Sequence, residues 1–195
     1  FYAKSLRDTG IDFLNPPMAG STVPTSRSMI FVTPDGERSL NTYLGIFADL
    51  GSEDVRDEFG ATAKNVFLEG YLFDKDKGKD AFKHLSRSCR EGGGQAGIAI
   101  SDPFCVERHR DDFFDLIKNE LDYVIGNEAE VQSLYQTEDT NAALARLSEI
   151  CPLVVCTRSG DGVSAVQNGK RVDVSVETIV PVDATGAGDQ FAAGF

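Results

Sequence analysis

The 195-residue sequence has no tryptophan, two histidines, two methionines and four cysteines. Cys89, Cys105, Cys151 and Cys156 show no CxxC spacing, and two histidines offer little to complete a zinc site with them. They read as reduced thiols of a cytoplasmic protein, not as a disulfide framework. Basic residues are also sparse, with 19 Lys and Arg against 31 Asp and Glu, a formal net charge of −12. No stretch concentrates the positive side chains, so neither nucleic acid nor an anionic membrane is expected as a partner. No apolar run approaches the ~20 residues of a membrane span, and no signal peptide is expected.

What is present is ordinary for a folded domain: 41% hydrophobic and 26% charged residues, enough for one sizeable core and a small appendage. An acidic chain that handles anions must create positive potential locally, from backbone amides, metal ions or single basic residues. The sequence begins at Phe1, not Met, and stops in apolar sequence at Phe195. A fragment lacking both ends of a longer protein is therefore expected.

Local patterns divide the chain. "FYAKSLRDTG" reads as a helix closed by Gly10, and a Pro/Gly/Ser/Thr-rich connector follows. "SMIFVTPDGERSLNTYLGIF" contains two β-prone runs around Asp35-Gly36, a hairpin turn signal. Such a ribbon is marginal alone and should pack on, or fold over, something else. From Ser52, read as a helix N-cap, strands and helices alternate. "KNVFLEGYLF", "AGIAISDP", "DYVIGN" and "PLVVCTRSGDG" read as strands, with amphipathic helices between them, and Asn168-Gly169 turns a late hairpin. Alternation of this kind predicts an α/β fold with a mostly parallel sheet covered by helices on both faces. The expected division is a β-hairpin region at 18–46 and an α/β core formed by 1–17 with 47–195.

Ligands of open parallel sheets bind beyond the carboxyl ends of the strands. Polar and glycine residues recur there: Glu69, Asp102, Asn127 with Glu130, and Thr157 with Gly160 and Gly162, followed by "VDATGAGDQFAAGF". Gly186, Ala187 and Gly188 at a helix start are either a tight packing turn or an anion site, because the first amides of a helix lack acceptors and sit at its positive end. Asp189, in the first helical turn, is either a favourable dipole partner or a base for a substrate hydroxyl beside that anion site. Asn127 and Glu130 read as a helix cap on their own. Thr157, Gly160 and Gly162 read as a strand-to-strand turn, and Glu69 reads equally as a solvated terminal carboxylate or a pocket residue. Asp102, Arg27 and Arg108 have no assignable role.

"VDATGAGDQFAAGF" resembles the C-terminal D-x-x-G-A-G-D signature of the ribokinase-like (PfkB) carbohydrate and nucleoside kinases. "GNEAE" resembles the N-x-x-E motif of that family, "VVCTRSGDGV" its strand-turn nucleotide segment, and "MIFVTPDGERSLNTY" its β-lid. The resemblance spans essentially the whole chain, as the middle and late parts of a longer protein. It implies a ribokinase-like fold with a hairpin lid, and an ATP-dependent phosphotransferase acting on a hydroxyl of a sugar or nucleoside. By the same resemblance, Asp189 is the catalytic base and the amides of Gly186, Ala187 and Gly188 form the anion hole. Asn127 and Glu130 hold Mg²⁺, through water. Thr157, Gly160 and Gly162 line ATP, Glu69 belongs to the sugar pocket, and Asp183 with Thr185 belongs to a monovalent-cation loop that takes K⁺. A homodimer through the lid is a further implication.

"NTYLG" and "SDPFCVERHR" are similar to adenosine and general sugar kinases of the family. A phosphofructokinase-type acceptor fits less well, since a substrate phosphate calls for extra basic residues. The alternative is a non-catalytic nucleotide- or sugar-binding homologue. A dinucleotide oxidoreductase is excluded, because the glycine pattern is not G-x-G-x-x-G and does not follow the first strand.

Overall fold

The computed structural model describes residues 2–177 and 179–195; Phe1, included in the expected first helix, lies outside them. In chain order the elements are α1 (Tyr2–Asp8), β1 (Arg27–Val32), β2 (Arg38–Tyr43), α2 (Asp57–Thr62), β3 (Asn65–Glu69), α3 (Asp76–Glu91), β4 (Gln95–Ala99) and α4 (Pro103–Glu120). These are followed by β5 (Tyr123–Asn127), α5 (Glu128–Tyr135), α6 (Thr140–Ser148), β6 (Leu153–Thr157), β7 (Val163–Gln167), β8 (Lys170–Val174) and α7 (Ala187–Gly194).

β3 to β8 form one sheet whose spatial order is the chain order. Pairing is parallel from β3 to β6 and antiparallel from β6 to β8. A sheet that adds each parallel strand on the same side, without reversing direction, places every crossover helix on one face. Val66, Leu68, Ile98, Val124 and Val154 accordingly meet Phe82, Val106, Phe113, Val131 and Leu144 of α3 to α6 in one buried layer. Phe73 and Phe113 lie at its centre, 4.3 Å apart. Cover on both faces was expected. Among the described residues the second face carries only α7, through Phe191 and Ala192 against Tyr123, Ile125 and Val155.

The termini of elements follow their capping chemistry. Gly10 takes φ +82 after α1. The Ile11 amide donates to Leu6 O and the Gly10 amide to Arg7 O, both at 3.0 Å, which is the glycine-closed end expected there. Ser52 does not cap a helix. It opens a short 3-10 turn, Ser52–Asp54, and extended backbone at Val55 and Arg56 delays α2 until Asp57. Asp102 is the N-cap of α4, accepting from the Phe104 amide at 3.0 Å with Pro103 in the first turn. Arg108 pairs with Asp74 at 3.0 Å, and Arg27 stacks over Tyr43; these contacts are structural.

β1 and β2 form a separate antiparallel ribbon, exposed along its length. Its turn closes through the Gly36 amide on Thr33 O and the Thr33 amide on Glu37 O. Gly36, at φ +84, supplies the left-handed residue that the Asp35-Gly36 signal predicts.

Candidate active site

Four strand ends and the start of α7 supply the polar residues. Glu69 closes β3 and is partly buried. Its Oε1 accepts a hydrogen bond from Ser101 Oγ, which in turn accepts from the Gly70 amide at 3.0 Å. Burial pushes the Glu69 carboxyl up to about 7, and the negative charges of Asp189 and Glu130 add to that. Tyr71, beside the same group, is also raised, by burial first and then by Asp102, Glu69 and Glu130.

Asn127 closes β5 and caps α5. Its Oδ1 accepts from the Glu130 amide at 2.9 Å, while Glu130 accepts from the Asn127 amide at 2.9 Å and from Asn127 Nδ2 at 2.7 Å. This reciprocal arrangement is a capping box. It leaves Asn127 exposed and Glu130 buried, and burial raises the Glu130 carboxyl. Among the described residues no group of three or more His, Cys, Asp or Glu side chains is placed to hold a metal. Both Glu130 oxygens are engaged by Asn127, so the pair suits an ion that keeps its water shell, as Mg²⁺ does, better than a directly ligated one.

Thr157 closes β6 directly opposite Asn127 in the register. The turn that follows is held by the Arg158 amide on Gly162 O at 2.8 Å. Gly162 has φ +92, and a Cβ there would lie 2.0 Å from Val174 O, so packing of the turn on the end of β8 is sufficient reason for glycine. Gly160 is exposed.

Gly186, the N-cap of α7, adopts the left-handed conformation (φ 79°, ψ 5°). The Ala187 amide donates to Ala184 O at 3.2 Å, whereas the amides of Gly186 and Gly188 make no backbone hydrogen bond among the described residues. Asp189 lies in the first turn and is exposed. Asp183 Oδ1 accepts from the Thr185 amide at 2.8 Å; Thr185 and then Arg38 of the hairpin hold the Asp183 carboxyl below its usual range.

The hairpin reaches this segment. Gly36, buried in an otherwise exposed ribbon, accepts from the Ala184 amide, and a Cβ on it would lie 2.8 Å from Pro181 O. A groove of about 710 Å³ runs along the second face of the sheet from Asn65 and Gln95, at the strand starts, to Glu69 and Asp189, at their ends. Only its upper end coincides with the polar cluster.

Glu69 and Asp189 therefore line one groove, Glu130 acts on Glu69 by charge, and Asn127 meets Thr157. Asp183 and Thr185 stay in their own turn, and the positive charge of Arg38 acts both on Asp183 and on Tyr71 beside Glu69. Two contributors went unread in the sequence. Ser101 is one, and the small polar residue between "AGIAI" and the Asp-Pro helix start was its only signal. Arg38 is the other, and nothing local marks it.

The pfkB family carbohydrate kinase model matches residues 1–195. The crystal structure of adenosine kinase from Sinorhizobium meliloti superposes with a TM-score of 0.93 at 42% identity, over 99% of this chain and 59% of that one. A probable sugar kinase protein from Rhizobium etli CFN 42 gives 0.93 at 40% identity with the same coverage. Adenosine kinase of Schizosaccharomyces pombe is 29% identical over 195 residues, covering 89% of this chain and 56% of that protein. The chain thus spans less than two thirds of the length of each of these relatives.

Proposed function

The chain belongs to the pfkB family of carbohydrate kinases, and from that membership we propose that the complete protein transfers the γ-phosphoryl group of ATP to a hydroxyl of a sugar or nucleoside. An adenosine-like acceptor is favoured by the similarity to adenosine kinases. The observation that carries the reading is that Asp189, at the start of a glycine-led helix, lines one groove with Glu69 at the sheet's carboxyl edge. That edge is where an open parallel sheet receives its ligand.

In this reading the acceptor lies between Glu69 and Asp189, beneath the hairpin, with residues 18–46 as the lid. Glu69 orients the acceptor by hydrogen bonding, and Asp189 accepts the proton of the attacking hydroxyl. Asp189 belongs to the turn whose Gly186 and Gly188 amides face the charge that develops on the transferring phosphoryl group. The Ala187 amide joins them when its turn to Ala184 opens. Thr157, Gly160 and Gly162 line the nucleotide. Asn127 and Glu130 hold Mg²⁺ through water, and the ion neutralises phosphate charge when bound. Asp183 and Thr185 form part of a K⁺ loop, and lid closure excludes water from the acceptor.

The lid exposes Met29 and Phe31 on one face and Ile30 and Leu40 on the other. These supply apolar surface for pairing with a second copy. Among the described residues no helix is long and apolar enough to cross a membrane.

The deciding experiment is ADP release by the full-length protein with Mg·ATP and, separately, adenosine, ribose, fructose and a ketodeoxy sugar. Acceptor-dependent release is expected. Nucleotide or sugar binding without turnover would favour the non-catalytic homologue instead.

A further inference from the structure

Ser101 is in an unusual conformation. Its φ is +71, in a region that non-glycine residues other than Asn and Asp seldom occupy, and the Asp102 amide donates to Ile100 O across it at 3.0 Å. A hydrogen bond from residue i+2 to residue i around a positive φ is the rare, strained form of the γ-turn. Strain of this kind persists where the surroundings over-determine it.

The strained turn brings two of Ser101's groups to two carboxylates. The hydroxyl has two acceptors in reach, Glu69 Oε1 and, at 3.0 Å, Ala99 O, and donates to the nearer, Glu69 Oε1, while Ser101 Oγ itself accepts from the Gly70 amide. The backbone amide of Ser101 faces the buried Glu130 carboxylate and favours its charged form. One residue therefore links the carboxylate on the acceptor side to the carboxylate on the metal side. The other groups acting on Glu69 are Asp189 from α7 and Glu130 from α5, by charge, and the Gly70 amide, by hydrogen bonding; Tyr71, from the turn after β3, lies within reach of its charge. Among the described residues, Ser101 is the one side chain that donates to the Glu69 carboxylate. With like charges nearby, a carboxylate that lacks this donor has reason to turn away from them.

We infer that Ser101 is a positioning residue for phosphoryl transfer: its hydroxyl holds the Glu69 carboxylate toward the acceptor against the repulsion of Asp189. The inference rests on the reading of Glu69 as an acceptor-binding group. It adds that the strained γ-turn exists to deliver this hydroxyl.

Ser101→Gly removes the hydroxyl and relieves the strain together, so the fold is retained or stabilised. In the full-length protein, Ser101→Gly is expected to raise the KM for the acceptor about tenfold and to leave the KM for ATP within twofold. Glu69→Gln should raise the acceptor KM as well, and Ser101→Gly added to Glu69→Gln should cost little more, because both changes remove one interaction. Ser101→Asn, which tolerates positive φ and carries a donor, should recover part of the loss. A crystal structure of Ser101→Gly without substrate should show the Glu69 side chain displaced or in several conformers. Fully additive effects of Ser101→Gly and Glu69→Gln, equal rises in both KM values, or an unmoved Glu69 carboxylate would each overturn the assignment. Should wild type transfer phosphate to no acceptor, the kinase reading fails, and the position of Glu69 in the variant crystal still decides the role of Ser101.

Discussion

The carbonyl of Gly36, at the tip of the β1–β2 hairpin, accepts a hydrogen bond from the amide of Ala184 at 3.4 Å, two residues before the glycine turn that opens α7. The tip is thereby docked on the segment that precedes the proposed anion hole, while both strands behind it stay exposed.

Gly36→Ala tests that docking. The new methyl group would meet Pro181 O at 2.8 Å and force a non-glycine residue to φ +84, a strain of ~1–2 kcal/mol by itself. The expected result is a rise of about tenfold in acceptor KM, one power of ten for each ~1.4 kcal/mol. Gly20→Ala is the control: Gly20 has φ +83 with nothing within 4 Å, so it carries the strain without the clash. If both variants change KM alike, the tip contact is irrelevant to binding.

Asp189→Asn should lower kcat by about 10² to 10⁴, the usual range for a lost general base, with ATP and acceptor still bound. Isothermal titration separates binding from turnover. Turnover within a few-fold of wild type would remove Asp189 from the mechanism.

Asn127→Ser keeps an oxygen able to cap α5, so melting temperature should change little; Asn127→Ala should cost ~1 kcal/mol through loss of the cap. Both substitutions remove the Nδ2 donor that Glu130 accepts from at 2.7 Å. The Mg²⁺ concentration for half-maximal activity is therefore expected to rise about tenfold in each. A Mg²⁺ requirement unchanged in Asn127→Ser would reduce the motif to a helix cap.

Glu69 should leave a signature in stability against pH. Its folded-state pKa is raised from 4.5 to about 7, so between these values the folded chain holds a proton that the unfolded chain releases. Stability from this group is present below pH ~4.5 and is lost as pH rises to ~7. Because the carboxyl is only partly buried, solvent screening limits the change to the order of 1–2 kcal/mol. Urea unfolding of wild type and Glu69→Gln across this window measures it, and parallel curves for the two proteins would contradict the assignment.

The sequence was most legible where its information is local. Asn127 and Glu130 at N-cap and third position, Gly10 after α1, and Asp35-Gly36 in the hairpin all act within a few residues of themselves. Their capping and turn chemistry therefore survives folding unchanged. The glycine turn before Asp189 is of the same kind; the α/β class followed from strands and helices alternating at regular spacing, and the ribokinase-like assignment from the resemblance of the motifs. Ser52 was misread because an acid-rich run after a serine also suits a 3-10 turn. Val55 and Arg56, extended, decided the matter.

Other features have no sequence-local cause. Chain order repeated as strand order is a property of the sheet, and it alone put α3 to α6 on one face. The approach of Glu69, Glu130 and Asp189, separated by 61 and 59 residues, depends on parallel strands ending at a common edge and on α7 crossing the opposite face. The elevated Glu69 carboxyl, the Ser101 hydroxyl upon it, and Gly36 against Ala184 are consequences of that convergence. Burial and Coulomb energies depend on distance through space, which the order of residues does not specify until the sheet has formed.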